Sequence, residues 1–132
     1  MSTTKYPLVM LIDDNELDNF INKKLVEADS FSGATTIHTS ARSALNYLRD
    51  NAGSASQVPD LVFLDIMMPE MDGFGFLDEY EKLPETVRTK CKIVMLSTSD
   101  SFKDLNRANQ NKYVKRFLNK PLNAQILTAL NI

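Results

Sequence analysis

Three short apolar runs with no polar break, residues 8–12 (LVMLI), 61–64 (LVFL) and 93–96 (IVML), restrict the possible folds of this chain more than any other feature. A strand with one face in water alternates apolar and polar residues. An unbroken run implies a strand covered on both faces, as in a parallel sheet with helices packed on either side. Helical spacing fills the stretches between. Leu17, Phe20, Ile21 and Leu25 recur as an amphipathic helix requires, and Ala41, Ala44, Leu45 and Leu48 do so behind Ser40, a candidate N-cap. Residues 34–38 read as a weaker strand and residues 114–118 as a short fifth one. Phe74, Leu77 and Tyr80 predict a helix after Gly73, a polar helix is expected over 102–109, and Leu122, Ile126 and Leu130 predict a last one. Residues 51–59 (NAGSASQVP) are small and polar and read as a surface loop. Five strands alternating with five helices predict the α/β class.

The 132 residues suffice for one core, so residues 1–132 are expected to form a single domain with no effector domain attached. Net charge is −2 with both signs scattered, which argues against a nucleic-acid footprint and against a polybasic membrane surface. No apolar run approaches the roughly 20 residues of a membrane-spanning helix. The first seven residues lack the apolar centre of a signal peptide. Cys91 is the only cysteine, which excludes an internal disulfide and fits a reducing compartment, so a cytoplasmic protein is expected. His38 and Cys91 have no ligand companions, and no G-x-S-x-G elbow exists, which speaks against zinc and against a hydrolase triad.

The polar residues at the ends of the strands carry the chemistry. Ligands of open α/β sheets bind outside the carboxyl ends of the strands. The first run ends in Asp13 and Asp14, the third strand in Asp65, the fourth in Ser97 and the fifth in Lys120. Parallel neighbours would bring three carboxylates, a hydroxyl and an ammonium to one edge. Two carboxylates at about 4 Å repel by roughly 4 kcal/mol at an effective dielectric of about 20. Either one acid keeps a proton, or a divalent cation sits among them. Oxygen donors without histidine or thiolate favour Mg²⁺ over zinc or copper. A carboxylate beside such a metal, with lysine and serine donors opposite, suits covalent capture of a phosphoryl group, and needs no general base.

The Asp13–Asp14 pair, the DIMMPEMDG run of residues 65–73, Ser97 and the Lys120–Pro121 step resemble the receiver domain of bacterial two-component response regulators, in the same order and across essentially the whole chain. The resemblance implies a flavodoxin-like fold with strand order 2-1-3-4-5. It implies that Asp65 is the phospho-acceptor, that Asp14 ligates Mg²⁺ directly, that Asp13 acts mainly through water, and that the backbone carbonyl of Met67 completes the protein's share of the metal shell. Ser97 and Lys120 would contact the phosphoryl group, Phe117 would be the switch aromatic, and Lys120–Pro121 a cis peptide. Implied partners are a histidine kinase or histidine phosphotransfer protein and a downstream protein target, with the chain a monomer or weak dimer. Two departures stand out. Phe117 replaces the commoner tyrosine and has no hydroxyl, and Met67 is apolar where the family tunes the access of water.

Other classes fit less well. A phosphatase with an aspartyl intermediate usually carries a second acid two residues past the nucleophile, where this chain has Met67. A degenerate, never phosphorylated receiver would not keep the full acid set. A flavin carrier would need a phosphate loop after the first strand, where Asp13, Asp14 and Glu16 repel phosphate instead. A phospho-acceptor switch, rather than an enzyme turning over external substrates, is the expectation.

Overall fold

The unbroken apolar runs form the middle of a five-stranded sheet in the computed structural model, which describes residues 4–98, 102–130 and 132. The strands are β1 (Tyr6–Ile12), β2 (Ser32–His38), β3 (Leu61–Asp65), β4 (Lys92–Ser97) and β5 (Val114–Asn119), in the order β2-β1-β3-β4-β5. Every neighbouring pair is parallel. All of β3 is buried, as a central strand covered on both faces must be. The edge strands β2 and β5 keep exposed positions, which is why their apolar signal in the sequence is weaker.

Successive side chains of each strand feed two cores. Met10, Ile12, Val62, Leu64, Ile93 and Met95 pack on one face. Val9, Leu11, Leu61, Phe63, Val94 and Leu96 pack on the other. The first face is covered by α2 (Ala41–Asp50), α3 (Gly73–Tyr80), α4 (Glu85–Lys90) and α5 (Phe102–Gln110), through Leu45, Leu48, Phe76, Leu77, Val87 and Ala108. The second is covered by α1 (Glu16–Glu27) and α6 (Ala124–Ala129), through Val26 and Leu127. Ser40 caps α2 as expected, its hydroxyl accepting from the Ser43 amide at 3.1 Å.

The helices depart from expectation in three places. There are six among the described residues rather than five, because α4 occupies the connection between α3 and β4. With one buried side chain, Val87, in six residues, α4 has too little periodicity to be read as a helix. In the last helix only Ile126 of the three expected apolar residues is helical. Leu122 and Leu130 flank α6 and are buried beside it.

The third departure concerns which side of α1 faces the sheet. Asn19, Asn22 and Val26 are buried, while Leu17, Phe20 and Ile21 are 64, 58 and 47% exposed. Asn19 explains the orientation, since its side-chain amide donates to the Asp13 carbonyl at 2.7 Å from a buried position. Residues 19, 22 and 26 lie on one helix face, so anchoring Asn19 turns Leu17, Phe20 and Ile21 outward, while Leu25, the fourth residue of the expected stripe, packs partly buried against the second core.

Candidate functional site

Register along the central strands brings the acids together. Ile12 of β1 lies opposite Leu64 of β3, so Asp13 and Asp65 are the next residues on adjacent parallel strands. Asp13 is held by its surroundings. Its amide donates to the His38 carbonyl at 3.1 Å, and its Oδ1 accepts from the Asn15 amide at 2.9 Å. The N-cap of α1 is Asn15, whose side chain accepts from the Asp18 amide at 3.0 Å. Helix capping therefore does not occupy Asp13 or Asp14. Asp14 is exposed, Asp13 and Asp65 are buried, and one carboxylate oxygen from each of the three lies within 4.8 Å of the others.

The connection from Asp65 to α3 is tightly folded. The Gly73 amide donates to the Ile66 carbonyl at 2.9 Å. A Cβ on Gly73 would stand 2.8 Å from the Asp65 carbonyl oxygen, so a side chain there would push directly on the backbone of Asp65. Asp72 caps α3, accepting from the Gly75 amide at 2.8 Å. Met67, two residues past Asp65, is 66% exposed.

The far side of the site comes from β4 and β5. Asp65 pairs with Leu96, which makes the buried Ser97 the next residue on the neighbouring strand. The Ser97 carbonyl accepts from the Lys120 amide at 2.8 Å, and Lys120–Pro121 is cis, as expected. The Lys120 ammonium reaches back across the sheet edge to Asp13 Oδ2 at 2.7 Å and Asp65 Oδ1 at 3.2 Å. Phe117 sits deeper, opposite Met95 and half-buried against the core, away from the carboxylates.

One neighbour was not anticipated. Asp18 Oδ2 of α1 lies 3.3 Å from the Lys120 ammonium. Local spacing does not reveal it, because α1 begins at Glu16 behind its cap Asn15 and Asp18 meets Lys120 across 102 residues of sequence.

Burial and charge set the protonation of the site. Burial pushes the Asp65 carboxyl up to about 6, the Asp13 carboxylate adds to this, Lys120 opposes it and Asp14 contributes a smaller rise. Burial by itself would pull the Lys120 ammonium down, but the bond to Asp13 and the charges of Asp65 and Asp13 outweigh it and hold the group above its ordinary range. Lys120 is thus a fixed cation, and Asp65 is an acid whose ionisation costs free energy until further positive charge arrives. Carboxylate oxygens with an exposed turn beside them are the donor set of a hard divalent cation such as Mg²⁺. The buried thiol of Cys91 is pushed up to about 12, chiefly by desolvation, and is chemically quiet.

Comparison with known proteins agrees with this fold. The family model described as "Response regulator receiver domain" matches residues 9–131. The chain is 32% identical over 120 residues to the probable methanogenesis regulatory protein FilR2 of Methanothrix harundinacea, covering 91% of this chain and 76% of that one. It is 29% identical over 99 residues to the alkaline phosphatase synthesis transcriptional regulatory protein SphR of Synechococcus elongatus, covering 73% of this chain but only 36% of SphR. The crystal structure of a two component response regulator from Cytophaga hutchinsonii superposes with a TM-score of 0.84 at 27% identity, over 93% of this chain and 92% of that one.

Proposed function

The chain belongs to the family of response regulator receiver domains, the phospho-acceptors of two-component signalling, and we propose that Asp65 is the residue that takes the phosphoryl group. The observation that carries this is a buried carboxylate at a strand end, 3.2 Å from a lysine ammonium and flanked by two further acids. Asp13, Asp14, Asp65 and the backbone carbonyl of Met67 would hold Mg²⁺, which supplies positive charge for the phosphoryl oxygens. An oxygen of Asp65 forms the new bond to phosphorus as the bond from phosphorus to a donor histidine nitrogen breaks, and the electron pair leaves with the imidazole. Lys120 stays protonated throughout and contacts the transferred oxygens. The Ser97 hydroxyl donates from β4, and its movement makes room for Phe117 to swing inward. No acid stands at position 67 to serve a leaving group, which suits a switch that holds its phosphoryl group rather than an enzyme that turns over external substrates.

Leu17, Phe20 and Ile21 form an exposed apolar patch on the helix that begins just after Asp13 and Asp14. Contiguous exposed apolar surface marks interaction sites. Ile21, Asp18 and Pro121 also line a cavity of about 280 Å³ beside Lys120. The surface suits a helical phosphodonor, a histidine kinase or histidine phosphotransfer protein, that brings its histidine to Asp65. Residues 9–131, which the family model matches, act as a receiver domain with Mg²⁺ as cofactor and another protein as target. Among the described residues no helix is long and apolar enough to cross a membrane. A cytoplasmic setting accords with a single, free cysteine, which forms no internal disulfide.

The test is incubation with Mg²⁺ and acetyl phosphate, then intact mass measurement. One phosphate should add to the native protein and none to Asp65→Asn. An adduct that survives in Asp65→Asn, or none in the native protein, would overturn the assignment.

A further inference from the structure

Lys120 has three N–H donors and three carboxylates within reach: Asp13 at 2.7 Å, Asp65 at 3.2 Å and Asp18 at 3.3 Å. The ammonium is hydrogen-bonded to Asp13 and Asp18 and ion-paired with Asp65 before any phosphoryl group arrives. A phosphoryl group on Asp65 uses up that carboxylate's charge and puts about two charges on three oxygens in its place, so Lys120 can serve more than one of them only by giving up a second partner. Distance and burial identify which one. The choice lies between the two acids that stay ionised: the Asp13 contact is the shortest and its side chain is only 5% exposed, so losing the ammonium would leave a charge in a dry site. The Asp18 contact is the longest, and its side chain is 40% exposed, so water replaces the lost ammonium at little cost.

We propose that Asp18 is a positioning residue that anchors Lys120 in the unphosphorylated protein and is released when the phosphoryl group claims the ammonium. The inference rests on the Asp65 acceptor assignment and adds a competitor to it. Because Asp18 stabilises only the resting arrangement, removing its carboxylate shifts the balance toward the phosphorylated one. The exposed pair is weak, so the expected effect is about threefold.

Beryllofluoride with Mg²⁺ serves as the phosphoryl mimic, with affinity measured by titration calorimetry. Asp18→Asn and Asp18→Ser should each bind it about threefold more tightly than the native protein. Asp18→Glu, which keeps a carboxylate in reach, should restore the native value. Glu16→Gln removes the same charge from the same first turn, where Glu16 makes no contact with Lys120, and should leave the affinity unchanged. Equal or weaker binding by Asp18→Asn, or an equal gain in Glu16→Gln, would show that Lys120 is not contested by Asp18. The native protein supplies a check that needs no variant: the Asp18 side-chain carboxyl ¹³C resonance should shift as beryllofluoride binds, and a stationary signal overturns the anchor. If the native protein fails to bind beryllofluoride at all, the acceptor assignment falls first and the anchor with it. Normal binding with a silent Asp18 removes the anchor alone.

Discussion

The ammonium of Lys120 lies 2.7 Å from the carboxylate of Asp13, across 107 residues of sequence. This pair joins the far edge of the sheet to β1, and with Asp65 at 3.2 Å it makes one cation the partner of two buried acids. Removing the cation from such a group is costly because the acids stay behind unpaired. Lys120→Met should lower stability at neutral pH by about 3 kcal/mol in urea unfolding without divalent metal. Millimolar Mg²⁺ should recover part of the loss.

Asp65 has the opposite sign. Its folded value of about 6 lies above the ordinary 3.8, so the folded state binds the proton more tightly than the unfolded chain does. The stability contributed by the protonated group is complete below the unfolded value and lost as pH rises through about 6. Ionised Asp65 therefore burdens the fold at neutral pH. Asp65→Asn should be more stable than the native protein by about 2 kcal/mol at neutral pH without metal. The gap should close as pH falls toward the ordinary carboxylate range; a gap independent of pH would contradict it.

Mg²⁺ should relieve the same burden. At ten times its dissociation constant a ligand of the folded state adds about 1.4 kcal/mol, which is a rise of about 5 °C in Tm for a chain of this size. Asp14→Asn should remove most of that rise in thermal scans while leaving the metal-free Tm unchanged or higher, since an exposed acid facing two others is lost.

Gly73 should tolerate no side chain. With a Cβ 2.8 Å from the Asp65 carbonyl and 3.0 Å from the Ile66 Cα, Gly73→Ala has to move the acceptor backbone. The expected cost is about 2 kcal/mol of stability. A lower rate of labelling by acetyl phosphate should accompany it. Gly53, with open space around it, provides the control: Gly53→Ala should do neither.

Phe20→Ser separates docking from chemistry. The ring is 58% exposed, so stability should change by no more than about 0.5 kcal/mol. Labelling by acetyl phosphate should be unchanged, whereas transfer from a phosphohistidine protein should fall about tenfold. Equal transfer from both donors would remove α1 from the docking surface.

Much of this protein is determined by local pattern. Residues 61–64 and 93–96 are unbroken apolar runs because β3 and β4 are covered on both faces, and that requirement is met residue by residue. For the same reason Asp13, Asp14, Asp65 and Ser97 could be assigned to one edge: a polar residue that ends a doubly buried strand has only the sheet's rim to occupy, and Lys120 joins them because the edge strand β5 runs parallel to the rest. Periodicity in a helix records less. The stripe of Leu17, Phe20 and Ile21 fits a helix whichever way it is turned, and the hydrogen bond from Asn19 to the Asp13 carbonyl decided that the stripe faces water. α4 is too short to carry a period at all. The third partner of Lys120 likewise came from the fold, because Asp18 meets it across 102 residues. Strand burial is written in each residue's neighbours along the chain, whereas the facing of a helix and the partner of a charge are settled by atoms that only folding brings near.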